Sequence, residues 1–419
     1  MQFLAKTLSR YAAGLADRGR FEAAEVVISA AKWISPSSET ARAHENRIQH
    51  LKVYSTDPKC QAETRKMLHI IDTMSHELER DPLYVPSKLW AKINSAHTEL
   101  LSQYGIDHFK RTVSHQYQNW FMTSLDDPQT KRIFQIWDRN RNSDPLFTEI
   151  ESPGHVGFHA TDGTGNTEYV LAQREPREIY RMAVSILWEH VLNTDTTGTL
   201  ARMEESEIGN PIRIRRHGKL ISSDLAHSVR ERNVLFDACS LDGSEKLTVS
   251  ELGAGHGRLA EVIGRTTNYR YFIFDIAPAL YVSQWYIKKV FPNERVFEFR
   301  PFQDFSEVKD ELSVSRFAFF TANQIELLPD NYVDCFINMN SLMEMRKEQI
   351  KNFLHHIDRL TKIAFLSRQW LKWRNTFDGI TVAESDFRLP GRWKKIVDVV
   401  DDIYPEFFNH VWHRSLENR

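Results

Sequence analysis

The sequence contains little cysteine and has no excess of basic charge. Three cysteines among 419 residues are too few and too widely spaced for a paired disulfide framework, and none has the spacing of zinc ligands. Cys335 lies in an apolar run, which is typical of a reduced core thiol. A formal net charge of −2 lacks the basic excess that is typical of nucleic-acid-binding proteins, so we expect no nucleic-acid partner.

Long apolar runs are also missing. No stretch of 18 or more apolar residues is present, so we expect no membrane span. Lys6, Arg10 and Asp17 interrupt the N-terminus, which excludes the apolar core of a secretory signal. These absences predict a cytoplasmic protein. The composition, 41% hydrophobic and 26% charged, is that of an ordinary folded chain, and the length predicts two or three structural units.

Residues 1–55 are predicted to be helical and repeat-like. Ala12 on the first helix and Ala24 and Ala31 on the second lie where two helices would touch, and Pro36 follows the second helix. This spacing resembles the tetratricopeptide repeat, a helix–turn–helix unit of 34 residues. Because a lone repeat cannot bury its own face, it must pack on the rest of the chain, on a partner protein or on a second copy.

Residues 56–235 are predicted to form a mainly helical region that could cover the final domain and bind substrate. Apolar residues recur at helical intervals in Gln61–Leu78, Ser87–Tyr104 and Arg174–Leu192. The basic run from Arg213 to Lys219 is typical of a solvated surface strand, although it could also meet an acceptor that carries phosphate.

From Lys246 onward, short apolar strands alternate with helices. The predicted parallel strands cover Leu247–Leu252, Tyr271–Phe274, Phe317–Phe320, Val333–Ile337 and Ile363–Leu366. Two later strand-like runs, Trp393–Val400 and Phe407–His413, predict a closing antiparallel pair. The pattern predicts an α/β domain over residues 236–419, built on a mostly parallel seven-stranded sheet with helices on both faces.

The most specific motif runs from Glu251 to Arg258 and lies between a predicted strand and a predicted helix. Its glycines, Gly253, Gly255 and Gly257, let the backbone turn tightly and approach a ligand. Asp275 follows the next strand, where its carboxylate could accept hydrogen bonds from both hydroxyls of a ribose. The motif therefore predicts a nucleotide-binding turn.

Two cofactor classes use such a turn, and two residues discriminate between them. The dinucleotide motif requires a third glycine at the position that Arg258 occupies. A pyrophosphate would also be repelled by the nearby carboxylate of Glu251. S-adenosylmethionine carries an ammonium and a sulfonium, which this carboxylate suits. The residues therefore favour S-adenosylmethionine as the cofactor.

Amide side chains follow two later strands at the same edge of the sheet. Asn323 and Gln324 come just after the third strand, where an amide could reach the adenine edge, although Asn323 also suits an ordinary turn. Asn338 and Asn340 end the fourth strand, and we assign them to the cofactor and to the substrate. Open α/β sheets bind ligands at this edge.

The order of elements and the glycine turn resemble the Rossmann-like class I methyltransferase family. A narrower resemblance, over residues 100–419, is to a family of sugar O-methyltransferases of bacterial glycan and polysaccharide biosynthesis. It rests on Gly105–Thr112 with Trp120 and Phe121, on Glu207–Pro211, on Ser222–Leu225 and on Asn340–Met345. The resemblance implies methyl transfer from S-adenosylmethionine to a hydroxyl of a sugar or glycan acceptor.

Such a reaction requires aligned reactants and a base that deprotonates the hydroxyl. Glu344, after the fourth strand, is the first candidate, with His256 in the glycine turn and His227 as alternatives. The more common role of a carboxylate at the position of Glu344 is to serve the first turn of the following helix, here over Lys347–Leu360.

Three further residues are candidates for the acceptor site. Asp224 could fold over the cofactor from the middle region or could cap a helix. Arg368 and Trp370 follow the last parallel strand, where a donor and an aromatic face suit a sugar ring, although tryptophans are commonly core residues. No cluster of Asp, Glu and His has metal-ligand spacing, so no metal ligand is assigned, but some sugar methyltransferases use a divalent ion and metal dependence stays open.

Two other functions remain compatible with the sequence. One is a methyltransferase of a small molecule other than a sugar. The other is a non-catalytic adaptor with a tetratricopeptide-like segment on a methyltransferase fold, against which the intact glycine turn and Asp275 weigh.

Overall fold

The computed structural model describes residues 1–113, 122–139, 149–151 and 174–415. Trp120 and Phe121, part of the resemblance to sugar O-methyltransferases, lie outside these ranges.

The chain divides into two compact units. The first unit comprises Met1–Leu68, Ala96–Thr194 and Leu200–Ala226, and the second comprises His69–Ser95, Asp195–Thr199 and His227–Arg419. The second unit contains the whole predicted methyltransferase-like domain, together with two segments from the N-terminal half. The division into residues 1–55, 56–235 and 236–419 stays a prediction.

Three helices open the first unit and pack against one another: α1 (Gln2–Ala16), α2 (Phe21–Ile34) and α3 (Glu39–Thr56). Ala12, Ala24 and Ala31 are all fully buried, as expected for small residues where helices approach closely. The predicted helices are therefore present, while the likeness to a tetratricopeptide repeat stays a prediction.

The described part of residues 56–235 is mainly helical, as predicted. The helices described there are α4 (Pro58–Glu79), α5 (Lys88–Tyr104), α6 (Phe109–Thr112), α7 (Pro128–Arg139), α8 (Arg174–Thr194) and α9 (Ser223–Cys239). A small antiparallel sheet joins β1 (Glu149–Glu151), β2 (Arg213–Arg216) and β3 (Lys219–Ile221). The helices α4, α5 and α9 have residues in both units.

An eight-stranded sheet organises the second unit. Its first strands are β4 (Thr248–Leu252), β5 (Arg270–Asp275), β6 (Val296–Phe297), β7 (Phe317–Thr321), β8 (Val333–Met339) and β9 (Thr361–Trp370). A separate hairpin of β10 (Lys372–Asn375) and β11 (Ile380–Ala383) precedes the last two strands, β12 (Trp393–Val400) and β13 (Phe407–Arg414). The strand order is β12-β13-β9-β8-β4-β5-β7-β6.

Strands β4 to β9 pair in parallel, and β13 pairs antiparallel with both β9 and β12. The predicted fold class, a mostly parallel Rossmann-like sheet with a terminal antiparallel pair, is therefore confirmed. The described sheet has eight strands instead of the predicted seven, because Val296–Phe297 adds a two-residue strand beside β7.

Burial explains why these segments form strands. Every residue of β4 and of β7 is buried, as expected for parallel strands covered by helices on both faces. The helices α10 (Arg258–Thr266), α11 (Ala279–Val290), α12 (Lys309–Val314) and α13 (Lys347–Leu360) alternate with the strands. Cys335 is fully buried in β8, and the three cysteines are free thiols.

The sheet has a topological switch point at β4. This strand pairs with β5 on one side and with β8 on the other, so successive strands are added in opposite directions from it. The pairing of Leu252 with Phe274, and of Glu251 with Ile337, aligns the carboxyl ends of the three strands. Ligands of open α/β sheets bind at such a point. In the part of the chain that the structure describes, no helix is both long and apolar enough to cross a membrane.

Candidate active site

The glycine turn follows β4 at the switch point. Gly253, Gly255 and Gly257 have φ angles of 73°, 59° and 85°, which residues with a side chain rarely adopt. A Cβ atom on Gly253 would lie 2.3 Å from the Oγ of Ser341, so this position has no room for a side chain. Gly257 is the left-handed residue from which α10 begins. The turn therefore requires glycine for its conformation and, at Gly253, for close packing.

Asp275 ends β5 and holds the turn. Its Oδ2 accepts the backbone N–H of Gly255 at 3.0 Å, and its Oδ1 accepts that of Ile276 at 2.7 Å. Burial raises the pKa of this carboxyl to about 7, against the lowering effect of the backbone donors. Because each carboxylate oxygen can accept two hydrogen bonds, Asp275 retains capacity for hydroxyl donors.

Glu251 is buried in β4, where its Oε2 accepts a hydrogen bond from the hydroxyl of Tyr271 at 2.8 Å. Burial raises the pKa of Glu251 to about 7. Arg258, which stands in place of a third glycine, pairs with Glu231 at 2.7 Å and donates to Ser228 at 2.8 Å. The carboxylate of Glu251 is thus held by Tyr271, and its contact with a cofactor stays a prediction.

Asn338 is fully buried at the end of β8 and ties the following loop to β4. Its Nδ2 donates to the carbonyl of Leu252 at 2.8 Å and to the Oγ of Ser341 at 2.6 Å. Its Oδ1 accepts from the backbone of Leu342 at 3.1 Å and from Gln369 at 2.6 Å. Both amide protons and both lone pairs are used, so the side chain shapes the site, and its predicted contact with a cofactor stays a prediction.

Asn340 is also buried, but its side chain keeps an open donor. The residue has a φ of 60°, and its Oδ1 accepts from the guanidinium of Arg368 at 3.0 Å. Among the described residues, none accepts a hydrogen bond from its buried Nδ2. Because buried donors are nearly always paired, this atom is suited to a ligand oxygen.

Asn323 and Gln324 are the second and third residues of a 3-10 helix, Ala322–Leu327, that follows β7. Gln324 is buried and accepts from the backbone of Thr321 at 3.1 Å while donating to the carbonyl of Arg300 at 2.9 Å. Asn323 donates to the carbonyl of Glu77 at 3.2 Å, whereas its buried Oδ1 finds no donor within the described ranges. Gln324 therefore caps the helix, while Asn323 keeps an acceptor for a ligand.

Glu344 lies on the 3-10 helix Leu342–Glu344 that follows β8. Its half-buried carboxylate accepts a hydrogen bond at Oε2 from the indole N–H of Trp90 at 2.8 Å. Burial raises the pKa of Glu344 to about 7, and the indole donor opposes this rise. At the start of α13, Gln349 accepts the N–H of Arg346 at 3.0 Å, and the alternative role of Glu344 in the first turn of that helix stays a prediction.

The two histidine candidates are both buried. His256 packs edge-on against the ring of Tyr286 at 5.7 Å. His227 lies with its Nε2 3.3 Å from the hydroxyl of Tyr404. Burial and the nearby charges of Arg230 and Arg368 hold the pKa of His227 well below its usual range. His227 is therefore a weak base, whereas a pKa of about 7 suits Glu344 to proton transfer near neutral pH.

Arg368 and Trp370 belong to β9 and do not follow it as predicted, because the strand extends to Trp370. The guanidinium of Arg368 is buried, pairs with Asp401 at 3.1 Å and lies 4.2 Å from the ring centre of Phe407. The half-buried ring of Trp370 packs on the same phenylalanine at 4.8 Å. Both side chains therefore help to build the core, and their contact with an acceptor stays a prediction.

Two predictions concern the first unit. Asp224 is buried in the first turn of α9, and its fold over the cofactor stays a prediction. The basic run is largely paired within its own unit, since Arg213 and Arg215 each lie 3.8 Å from Glu207, and Arg216 pairs with Glu189. The run therefore forms a strand, as predicted, but the strand is not solvated throughout, since Arg216 is buried.

Within the described residues, three potential metal ligands meet at one place. The ligand atoms of Glu384, Asp398 and His410 lie within 4.8 Å of one another. The ammonium of Lys395 lies 3.0 Å from Asp398 and 3.6 Å from Glu384. Because Lys395 already supplies a positive charge there, this cluster forms an ion-pair network.

Sequence reasoning missed Trp90 as a residue of the site. It precedes Glu344 by 254 positions, and no local pattern connects the two residues. Its half-buried indole would have been predicted only as part of a helix face.

Comparisons with known proteins return methyltransferases of low similarity. One is a magnesium protoporphyrin IX methyltransferase from Synechocystis with bound SAM, at 13% identity and a TM-score of 0.31 over 46% of this chain and 82% of that one. Another is a SAM-dependent methyltransferase from Aquifex aeolicus, at 14% identity and a TM-score of 0.29 over 44% of this chain and 89% of that one. A third is the 1,6-didemethyltoxoflavin-N1-methyltransferase from Burkholderia thailandensis, at 12% identity and a TM-score of 0.31 over 46% of this chain and 80% of that one. No family model and no curated protein matches the chain. Likenesses of this size do not show a shared activity.

Proposed function

We propose that the chain is an S-adenosylmethionine-dependent O-methyltransferase that acts on a sugar hydroxyl. The observation that supports this most strongly is the hydrogen bond of 3.0 Å between Asp275 and the N–H of Gly255. It joins a buried carboxylate to a turn of left-handed glycines at the switch point of a parallel sheet, where nucleotide-like ligands bind.

The described residues fit this cofactor. Asp275 has acceptor capacity for two ribose hydroxyls, and the Oδ1 of Asn323 suits the amino group of an adenine. The Nδ2 of Asn340 suits the carboxylate of the methionine part. The carboxyl of Glu251, in its ionised form, would suit the ammonium. When bound, S-adenosylmethionine supplies a methyl group already activated by a sulfonium.

The chain's own residues then position the acceptor and remove its proton. A hydroxyl is a poor nucleophile while protonated, so a base beside it lowers the barrier. Glu344 is about half ionised near pH 7, because burial raises its pKa to about 7. It therefore accepts a proton more readily than His227, whose pKa lies well below the usual range.

The sugar acceptor is supported by sequence blocks that meet in the first unit. The backbone N–H of Lys110 donates to the carbonyl of Gly209 at 3.0 Å, and Arg111 donates to that of Asn210 at 2.8 Å. The amide of Asn210 also lies 3.0 Å from a ring nitrogen of His108. Two blocks on which the resemblance to sugar O-methyltransferases rests, about 100 positions apart, thus lie in contact and form one structural feature.

Calorimetric titration with S-adenosylmethionine and S-adenosylhomocysteine, with NADH as a control, tests the cofactor. Binding of the two methionine-derived ligands alone would support the proposal, while binding of neither ligand would refute it. A transfer assay with a labelled methyl group then compares nucleotide sugars and glycan fragments with phenols and amines. Transfer only to phenols or amines would favour the small-molecule alternative. Tight donor binding without transfer to any acceptor would favour the adaptor.

A further inference from the structure

A segment from the N-terminal half lies along the ligand edge of the second unit. Residues 77–90, which we call the arm, span the end of α4, a loop and the start of α5. The arm contacts residues that follow three different strands of the unit: Asn323 after β7, Glu344 after β8, and Asp378 in the hairpin after β9. It therefore borders the place where the candidate ligand residues converge.

Two side chains from the start of α13 hold the backbone of the arm. Arg346 donates to the carbonyls of Pro82 at 2.9 Å and Val85 at 3.1 Å. Gln349 donates to the carbonyls of Leu83 at 2.9 Å and Val85 at 3.0 Å. Four hydrogen bonds to carbonyl groups fix the path of this loop, and the donors lie two and five residues beyond Glu344.

The arm is also anchored by its own side chains. The buried hydroxyl of Tyr84 donates to Glu326 and accepts from Asn352 at 2.8 Å, and its ring packs edge-on against Phe353 at 5.6 Å. At the other end, Asp378 accepts the backbone N–H of Lys88 at 3.0 Å, which satisfies a free donor at the start of α5. Trp90 thus lies on a helix whose first residue is held by a hydrogen bond to Asp378.

We propose that the arm is a structural part of the catalytic site and that Trp90 is the positioning residue for Glu344. The indole N–H holds Oε2 of the carboxylate and directs Oε1 toward the acceptor hydroxyl. This inference rests on the proposed function, since it gives Trp90 a task in the proton transfer that O-methylation requires.

The chemistry of the donor supports this role. A cation beside Glu344 would stabilise the ionised carboxylate and would weaken it as a base. The two basic side chains that follow Glu344 in the chain are engaged elsewhere: Arg346 with the arm and Glu348, and Lys347 with Asp386 at 3.0 Å. Burial and the indole N–H are the influences on the pKa of Glu344. A neutral donor therefore orients the carboxylate with little loss of basicity.

Nuclear magnetic resonance of the full chain labelled with ¹⁵N at tryptophan tests the contact without any acceptor. We expect one indole N–H resonance to titrate with a midpoint near pH 7 in the wild-type protein. That resonance should be absent from Trp90→Phe, present but independent of pH in Glu344→Gln, and unchanged in Trp33→Phe. Trp33 is a suitable control because it is 84% exposed on α2.

Activity and donor binding separate positioning from mere structure. With the nucleotide sugar that reacts fastest in the transfer assay, Trp90→Phe should lower kcat about tenfold or more, as expected for loss of a hydrogen bond to a charged group. The acidic limb of its kcat profile should move to higher pH, while the affinity for S-adenosylhomocysteine and the KM of the acceptor stay within about twofold of wild type.

An indole resonance that does not titrate, or that still titrates in Glu344→Gln, would overturn the inference even if Trp90→Phe failed to fold. Equal losses of kcat and of donor affinity in Trp90→Phe would also overturn it, since they indicate a structural role. Failure of the wild-type protein to bind S-adenosylhomocysteine would refute the proposed function, and the inference would fall with it. Normal donor binding without titration of the indole would refute this inference and leave the proposed function intact.

Discussion

Asp275 and Gly255 are joined by a hydrogen bond of 3.0 Å, in which a buried carboxylate oxygen accepts the N–H at the centre of the glycine turn. The same carboxylate accepts the N–H of Ile276 at 2.7 Å. One side chain at the end of β5 therefore sets the shape of the loop after β4. This links the conformation of the turn to the residue proposed to bind a ribose.

Replacing Asp275 with Asn should weaken binding of S-adenosylhomocysteine by about 10- to 100-fold, as expected when hydrogen bonds to a charged acceptor are lost. An amide offers a single acceptor atom, so it cannot satisfy both backbone N–H groups and a ribose. Calorimetry measures the effect. Asp242→Asn is the matched control, because Asp242 is exposed and caps a turn through Ser244 at 2.8 Å. Equal affinities in both variants and wild type would remove Asp275 from the cofactor site.

Two glycines with similar backbone angles separate the effects of conformation and crowding. Gly253 and Gly379 have φ angles of 73° and 70°. A Cβ atom on Gly379 would meet nothing within 4 Å, whereas one on Gly253 would lie 2.3 Å from Ser341. Gly379→Ala should therefore lower the free energy of unfolding by about 1–2 kcal/mol, the cost of a left-handed residue with a side chain.

Gly253→Ala should lower the free energy of unfolding by about 1–3 kcal/mol more than Gly379→Ala does, since it adds overpacking to the same backbone strain. It should also abolish donor binding, because Ser341 must move away from the turn. Denaturant unfolding and calorimetry check the two effects. Equal destabilisation by both substitutions would show that the turn can relax around a Cβ atom.

Strand positions followed directly from the sequence, because the strands are defined by local apolar runs. The first predicted strand, Leu247–Leu252, starts one residue before the observed Thr248–Leu252. The second, Tyr271–Phe274, is one residue shorter at each end than the observed Arg270–Asp275. Val296–Phe297 was not predicted, since a strand of two residues exists only through its pairing with β7.

The site was harder to predict, because a residue at a strand end can serve either a ligand or the loop itself. Asn338 and Gln324 lie where the sequence places ligand residues, yet their amides are used within the protein. Arg368 likewise pairs with Asp401. Trp90 could not be found at all, because hydrophobic periodicity describes one helix and not its distant contacts.

Stability should depend on pH through Glu251. Burial raises the pKa of this carboxyl to about 7 in the folded chain, from an ordinary value of about 4.5. The folded state therefore binds more protons than the unfolded state between these values. Its stabilisation is complete below about pH 4.5 and is lost as the pH rises to about 7.

Glu251→Gln removes this titration while keeping an acceptor for Tyr271. The free energy of unfolding of the variant, relative to wild type, should therefore rise by up to about 3 kcal/mol between pH 5 and pH 8. Urea unfolding at several pH values measures this difference, and Glu311→Gln, at an exposed position, is the control. A difference that is constant with pH would mean that Glu251 is ionised throughout.

Glu344→Gln should remove most methyl transfer while leaving the affinity for S-adenosylhomocysteine unchanged. A positioned general base contributes about 10²- to 10⁴-fold in rate, so kcat should fall by at least about a hundredfold. Because the base acts only when ionised, the kcat of the wild-type enzyme should rise with pH to a plateau above about 7, the pKa to which burial raises this carboxyl. Transfer kinetics between pH 5.5 and 8.5, with Glu311→Gln as the control, test both points.

An unchanged kcat in Glu344→Gln would mean that another group removes the proton. Since the pKa of His227 is too low for efficient proton abstraction near pH 7, His256 in the glycine turn would then be the next residue to replace.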